Sequence, residues 1–330
     1  MSRFSVILLY QIHFYTAIRA SYHSSRKMRY NLKMGHKTEN RKWCFLSFPL
    51  LGALLCAACS HSGPVRENPS AEFIRNTGVL GTWWWWVAPE NQDRYLEFAA
   101  ASGVNEIYFY TTIFNNRTGS FIEKAGRMGI KVFLLLDDYK YIWERSSFTG
   151  IMNRFTAYQK RNLQRRRFSG LHLDIEPHQH PKFGENYDAF LQDYMDFVVW
   201  VCSKYRGNSP HFTVDFDIAT WHHANVFYRG KEIILYKALI SEADRVFLMA
   251  YQDSAAKTSE LAHLEIDFAK SLNKQIIIGV ETGRVDKEPG ISYYGKGRIY
   301  FNEQLRVLHD LINYSNYGLS IHHISSWYPM

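Results

Sequence analysis

Residues 168–178 read FSGLHLDIEPH, an apolar strand pattern interrupted by charged groups. Side chains alternate along a strand, so the aliphatic residues point to one face while His172, Asp174 and Glu176 point to the other. An unpaired buried carboxylate is costly, and two acids on one face of such a strand therefore indicate a functional site. The alternative is a purely structural ion-pair network.

Seven further apolar runs of strand length accompany this one, and helical stretches separate them. Two helical stretches end at Gly103 and Gly129, which is typical of a left-handed helix cap. Strands alternating with helices predict the α/β class, with a parallel sheet covered on both faces. Eight units over roughly 250 residues predict a (β/α)8 TIM barrel. A doubly wound open sheet is the alternative, but no Gly-rich loop follows the first run. The runs are Val79–Val87, Val104–Thr111, Ile130–Asp137, Gly170–Glu176, Phe212–Ala219, Asp244–Tyr251, Gln275–Glu281 and Leu319–Ser325.

The net charge of +8 is concentrated at the N-terminus. Residues 1–59 hold nine Lys and Arg against one acid, whereas residues 60–330 hold 30 basic and 30 acidic residues. The neutral body argues against a nucleic-acid partner. We predict three segments: an N-terminal extension with a signal at 1–59, a polar tether and lead-in at 60–78, and a single catalytic barrel at 79–330.

The segment before residue 60 has the pattern of an export signal. Lys37, Arg41 and Lys42 precede an apolar run, Trp43–Ala58, that is too short to span a bilayer comfortably. The sequence LCAAC at 55–59 resembles a bacterial lipoprotein signal. That resemblance implies lipidation of Cys59 and a membrane anchor in the cell envelope, at the outer membrane or cell surface. An ordinary signal peptide or an N-terminal anchor helix is the alternative.

Cysteine usage agrees with export. Three of the four cysteines precede residue 60, and Cys202 alone remains in the body. An internal disulfide or a cysteine-based zinc site therefore cannot form there. We expect a monomer that needs no cofactor.

The catalytic groups of a (β/α)8 barrel lie at the carboxyl ends of its strands. Asp174 and Glu176 come at that end of the fourth run. Two like charges this close raise the pKa of one carboxyl, which keeps a carboxylic acid protonated near neutral pH. The pattern predicts that Glu176 donates a proton to a leaving group and that Asp174 controls its charge.

GLHLDIE at 170–176 resembles the fourth-strand motif of the family 18 glycoside hydrolases, the chitinase-like barrels. The resemblance implies a carbohydrate substrate, an oligo- or polysaccharide containing N-acetylhexosamine. It also implies that Glu176 is the general acid. Asp174 would orient the acetamido group of the substrate, which acts as the nucleophile in that family.

FLMAYQDS at 247–254 resembles a second motif of the same family. Met249 and Tyr251 match it, and Gln252 replaces its aspartate. Trp327, just after the eighth run, fits the tryptophan that floors the sugar subsite. The resemblance implies that Tyr251 assists catalysis and that Met249, Gln252 and Trp327 contact substrate.

A second glycosidase hypothesis uses different partners. Glu176-Pro177 also resembles the Asn-Glu-Pro of a large barrel clan whose nucleophile is a Glu ending strand seven. The seventh run ends in IIIGVETG at 276–283, which places Glu281 in that position. A retaining enzyme of this kind needs its two carboxyl groups about 5–5.5 Å apart.

Other residues are predicted to bind the sugar. His172 points to the same face as the two acids, and Asp215 and Asp217 share a face of the fifth run. Trp84 and Trp86 belong to a run of four tryptophans whose rings can stack on sugars. Loop-edge carboxylates and core tryptophans are the alternatives.

Two further function classes stay open at this point. Histidines near strand ends can hold a divalent metal together with carboxylates, but no HxH pattern lies on the first run, and we expect no metal. The histidines near predicted strand ends are His178, His180, His222, His223, His322 and His323. The other alternative is a lipid-anchored sugar-binding protein that has lost its activity.

Overall fold

A computed structural model describes residues 78–85, 87–207, 212–220, 223–286 and 289–330. The predictions for residues 1–77, including lipidation of Cys59, lie outside the described residues, as does the prediction for Trp86. Within the described ranges, no helix combines the length and the apolar character needed to cross a membrane.

Eight parallel strands close into a barrel, which confirms the predicted (β/α)8 fold. Around the barrel the order is β1-β10-β9-β8-β5-β4-β3-β2. In this order β4 lies diametrically opposite β10, four strands away in either direction. The barrel strands are β1 (Leu80–Trp84), β2 (Glu106–Tyr110), β3 (Lys131–Leu136), β4 (Gly170–Leu173), β5 (Thr213–Ala219), β8 (Arg245–Met249), β9 (Ile276–Glu281) and β10 (Tyr317–His322).

Helices follow the barrel strands as predicted, and their ends have physical causes. The side chain of Asn115 accepts hydrogen bonds from the first turn of α2. Gly103 and Gly129, beyond the ends of α1 and α2, have φ of +83° and +79°. The helices are α1 (Gln92–Ala101), α2 (Asn116–Arg127), α3 (Arg145–Arg161), α4 (Tyr187–Tyr205), α5 (Leu235–Glu242), α6 (Ala255–Ser271), α7 (Arg298–Leu311) and α8 (Ile324–Trp327). Short 3-10 helices span Pro89–Asn91, Tyr139–Ile142, Gln164–Arg166, Pro177–Gln179 and Phe183–Glu185.

An antiparallel hairpin between β5 and α5 was not among the predicted elements. It consists of β6 (Asn225–Tyr228) and β7 (Lys231–Ile234). Its turn residues Arg229 and Gly230 both have positive φ, +52° and +81°. Two consecutive positive φ values are those of a type I′ hairpin turn.

The amino-terminal end of the barrel is filled by a buried charge cluster. Arg245, at the start of β8, pairs with Asp215 at 2.7 Å and with Glu106 at 2.9 Å. Its guanidinium lies over the ring of Phe133, 4.9 Å from the centroid. Burial raises the pKa of Asp215, and the neighbouring Arg245 opposes that rise. This cluster closes the end of the barrel opposite the predicted site.

One layer higher the barrel is filled by aromatic rings. Tyr108 stacks on His172 with ring centroids 4.2 Å apart, and Phe247 packs edge-on against both rings. Gly81 faces Tyr108 so closely that an added Cβ would lie within 3 Å of its ring. The interior below the mouth, by which we mean the carboxyl ends of the barrel strands, is therefore solid.

Candidate active site

Glu176 lies at the mouth, three residues beyond the end of β4. The residue is 7% exposed. The amide nitrogen of Gln179 donates a hydrogen bond to its Oε2, and Nε2 of His178 lies 3.8 Å from its Oε1. Pro177 starts the 3-10 helix that carries both partners. The sequence EPHQ thus folds back on its own glutamate and fixes the carboxyl at the rim.

Asp174, which is partly exposed, comes directly after β4, and its carboxyl hydrogen-bonds with that of a buried acid, Asp217 of β5. Asp217 Oδ2 also accepts a hydrogen bond from Trp83 Nε1 at 3.1 Å. Burial raises the pKa of Asp217 well above its usual range. Burial therefore disfavours a negative charge on Asp217, which lies in contact with Asp174.

His172 supports this pair from below. Its Nε2 lies 3.0 Å from Asp217 Oδ2. Burial lowers the pKa of His172 to about 3, which leaves the ring neutral at neutral pH. Because the folded protein favours the neutral form of both groups, this contact is a neutral hydrogen bond rather than an ion pair.

The pKa of the Tyr194 hydroxyl, on α4, shows that the three acids lie close together. Burial raises the pKa of its hydroxyl, and the charges of Asp217, Asp174 and Glu176 raise it further, in that order. All three carboxyls therefore act on one phenol. The structure brings together the acids predicted from the fourth and fifth runs.

Replacing Asp217 by Asn is expected to change the pH dependence of stability. A carboxyl whose pKa is raised by folding keeps its proton where the unfolded chain has lost it, so its contribution to stability falls as pH rises through the folded pKa. Above about pH 4, the ordinary carboxyl range, D217N should therefore lose less stability with rising pH than wild type. Urea unfolding across a pH series measures this. D267N, at an exposed position on α6, is the control, and equal pH dependence in D217N and wild type would contradict the raised pKa.

A further acid, Glu281, lies on the other side of the mouth. Glu281 ends β9 and is 1% exposed. Its Oε2 lies 2.6 Å from Nδ1 of His322, the last residue of β10, and its Oε1 accepts a hydrogen bond from the backbone N–H of Gly283. The ring of Tyr251 lies beside the His322 ring, with centroids 5.7 Å apart. Two of the predicted catalytic residues, Glu281 and Tyr251, therefore meet at His322.

Two predicted sugar-binding tryptophans are placed elsewhere. Trp84 points outward between barrel and helices, where it packs on Tyr95 and Phe121, so the prediction that it binds sugar is wrong. Trp327 is 2% exposed and packs on Phe98 of α1, which excludes it from flooring a subsite. The physical reason is the same in both cases, because each indole fills a gap between the barrel and its surrounding helices.

Four other predicted sugar ligands are also buried. Asp215 is 0% exposed and its carboxylate is engaged by Arg245, so the predicted contact with a sugar hydroxyl is wrong. His172, at 0% exposure, and Asp217, at 2%, lie one layer below the mouth and support Asp174 instead. Met249 is 6% exposed within the apolar core. Of this group Gln252 alone is partly exposed, beside Tyr251.

Several residues at the mouth were not predicted. Trp83 and Trp85, the inward members of the tryptophan run, belong to the aromatic cluster inside the barrel. Gln179 binds Glu176, and His322 binds Glu281. The run of four tryptophans indicated an aromatic interior. Alternation alone does not show which two of the four side chains point into the barrel.

Metal ligands do not converge within the described ranges. No group of three or more His, Cys, Asp or Glu side chains there has the arrangement that could hold a metal ion. His178 points back to Glu176, and His323 hydrogen-bonds Ser325 at 2.7 Å.

No protein-family model matches the chain, and no curated protein matches it. Among solved structures it is similar to the spore cortex-lytic enzyme SleL of Bacillus cereus, with a TM-score of 0.47, 12% identity, and coverage of 74% of this chain and 70% of that one. A GH18 chitinase from Cycas revoluta matches with a TM-score of 0.41 and 11% identity over 75% and 95% of the two chains. A β-mannanase from the blue mussel Mytilus edulis matches with a TM-score of 0.45 and 11% identity, over 75% of this chain and 87% of that one.

Proposed function

We propose that this chain is a glycoside hydrolase and that Glu176 is its general acid. The observation that carries the proposal is the stack of three acids at the carboxyl end of β4 and on β5, in which Glu176 is nearly buried, Asp174 is partly exposed and Asp217 is buried. Such a stack stabilises a protonated carboxyl at the opening of a barrel, where a leaving oxygen needs a proton.

The surroundings of Glu176 suit proton donation to a bound glycoside. The carboxyl is nearly buried, and Gln179 fixes its direction. The charge of the neighbouring Asp174 depends on how the Asp174–Asp217 pair holds its proton. An acid that is positioned, partly desolvated and backed by a negative charge is the arrangement that glycoside hydrolysis requires.

The identity of the attacking group is a more specific part of the proposal. The resemblance to family 18 implies the acetamido group of an N-acetylhexosamine, positioned by Asp174 and Tyr251, and this remains a prediction. The second predicted nucleophile, Glu281, has both carboxylate oxygens engaged, by His322 and by Gly283. Those contacts lower its nucleophilicity and favour a different role for this residue.

The experiment that tests the proposal is an activity screen with matched substrates. Purified wild type would be assayed on 4-nitrophenyl glycosides and on reduced oligosaccharides, each with and without a 2-acetamido group. We expect wild type to hydrolyse at least one substrate, and E176Q to hydrolyse the oligosaccharides about 10³-fold more slowly than wild type, because their leaving oxygen needs a proton. Faster cleavage of the 2-acetamido member of each pair would support the N-acetylhexosamine class. Equal hydrolysis of the oligosaccharides by E176Q and wild type would overturn the proposal, and so would a wild type that only binds them.

We also propose that the barrel is exported to the bacterial cell envelope and anchored through a lipid on Cys59. The signal-like segment before residue 60 and its LCAAC sequence support this proposal. Labelling with a fatty-acid probe in a bacterial host should mark the wild type and leave C59A unlabelled. Labelling of both variants, or of neither, would contradict the anchor.

A further inference from the structure

The Glu281–His322 pair, which we call the dyad, has no part in proton donation by Glu176. It nevertheless lies at the same mouth, because β9 and β10 end there together with β4. His322 is on the strand diametrically opposite β4, so a substrate protonated by Glu176 would present its other face to the dyad.

The hydrogen bonds of the dyad fix which nitrogen of His322 can accept a proton. Glu281 accepts from the Gly283 N–H at Oε1 and contacts His322 Nδ1 at Oε2. An ionised carboxylate can only accept hydrogen bonds, which makes Nδ1 the donor and leaves the lone pair of the neutral ring on Nε2. The carboxylate side chain is 2% exposed, whereas the imidazole is 12% exposed.

Packing holds the imidazole in this direction. Its ring contacts Trp83 edge-on, with centroids 5.4 Å apart, and lies beside Tyr251. The titratable groups that face it are Glu281, Tyr251, the neighbouring His323 and, through charge, Asp217. A buried carboxylate that orients a partly exposed imidazole by its Nδ1–H, and leaves Nε2 to accept a proton, is the arrangement of a general base.

We propose that His322, oriented by Glu281, is the general base of this site and that it activates a water molecule for direct attack. The proposal rests on Glu176 being the acid, and it names water rather than Glu281 or the acetamido group as the attacking group. Glu281 is then a positioning residue.

The chemical balance of the step is that of one-step hydrolysis. A water proton moves to Nε2 of His322 while the water oxygen bonds to the anomeric carbon. The bond from that carbon to the leaving oxygen breaks, and the leaving oxygen takes the proton of Glu176. Proton exchange with solvent then restores both groups. Attack from the face opposite the leaving group inverts the anomeric configuration, as in enzymes with an acid and a base on opposite sides of the sugar.

The stereochemistry of the first product tests the proposal. The glycoside cleaved fastest in the screen would be hydrolysed in an NMR tube, and the anomer formed first would be identified before mutarotation. We expect inversion. Retention would overturn the proposal while leaving Glu176 as acid intact, because both the acetamido route and a Glu281 nucleophile give retention.

Variants of the dyad provide a second readout. H322Q should lower kcat by about 10²-fold, the scale of a lost general base, with little change in KM, and E281Q should lower it less. Free imidazole should restore part of the activity of H322G. H309Q is the matched control, since His309 contacts Tyr317 at the far end of β10. Full activity in H322Q, with E176Q inactive in the same assay, would overturn the assignment of His322 as the base. It would leave the assignment of Glu176 as the acid intact.

A spectroscopic measurement tests the dyad without any activity. The ¹⁵N shifts of the His322 ring, assigned by comparison with H322Q, should show the neutral tautomer protonated at Nδ1. The E281Q variant should populate both tautomers. A neutral ring protonated at Nε2 in wild type would overturn the proposal even if no glycoside had been found.

Discussion

E176Q is expected to lower kcat by about 10³-fold on unactivated glycosides, within the usual range for removal of a general acid. The amide of Gln has nearly the shape of the carboxyl and can keep a contact with Gln179, but it has no proton to give to the leaving oxygen. The folding stability should stay close to that of wild type, because the replacement removes a nearly buried acid. Steady-state kinetics and thermal unfolding of the same preparation measure the two effects.

A matched variant separates the chemistry from the removal of a charge. Glu185 is exposed and lies in the same loop as Glu176. We expect E185Q to keep wild-type kcat and KM. If E176Q retained wild-type kcat, Glu176 would not be the acid. If E185Q lost as much activity as E176Q, the loss would reflect the loop and not proton transfer.

R245M is expected to cost about 3–5 kcal/mol of unfolding free energy, the scale for breaking a buried ion pair by removing one partner. Two carboxylates, Glu106 and Asp215, would remain at the closed end of the barrel without their cation. Guanidinium unfolding at neutral pH measures the loss. R165M is the control, because Arg165 is a surface residue whose partner Glu123 also contacts Arg166, and its unfolding midpoint should stay near wild type.

The same variant has a predictable pH dependence. Burial already raises the pKa of Asp215, and removal of Arg245 removes the charge that opposes this rise. The folded variant should therefore bind protons at a pH where the unfolded chain does not. It should regain part of its stability as pH falls from 7 toward 5. A difference between R245M and wild type that is constant across this range would contradict the account of the charge cluster.

The barrel could be predicted from sequence because its signals are local. Runs of strand length alternate with helical stretches, and Gly103 and Gly129 adopt the positive φ that ends a helix. The alternation in GLHLDIE also placed Asp174 and Glu176 on one face. The hairpin was missed because its turn is Arg229-Gly230, where the usual type I′ signal is Asn-Gly or Asp-Gly.

The partners of the charged residues could not be predicted, because they depend on strands far apart in sequence. Arg245 binds Glu106 across 139 residues and engages Asp215, which alternation alone had marked as a sugar ligand. Alternation likewise gave two faces for the tryptophan run without assigning them. The small Gly81 shares the inward face with Trp83, where the interior aromatic rings leave no space for a side chain.

The contact within the dyad could not be predicted from sequence either. Glu281 was recognised at the end of its strand, but its contact with His322 joins β9 to β10 and has no signature in either segment. A predicted nucleophile thus becomes a residue that orients an imidazole. Strand-end position predicts that a residue takes part in the site, whereas its role follows from contacts made across the barrel.

The measurement that tests the central claim most directly is the dependence of E176Q on the leaving group. The kcat/KM of wild type and E176Q would be compared on two glycosides of one sugar, with an alkyl alcohol or with 2,4-dinitrophenol as leaving group. A general acid matters only where the leaving oxygen needs a proton. We expect a large loss for the alkyl glycoside and near-normal activity for the dinitrophenyl glycoside. An equal loss on both substrates would contradict the assignment of Glu176 as the acid.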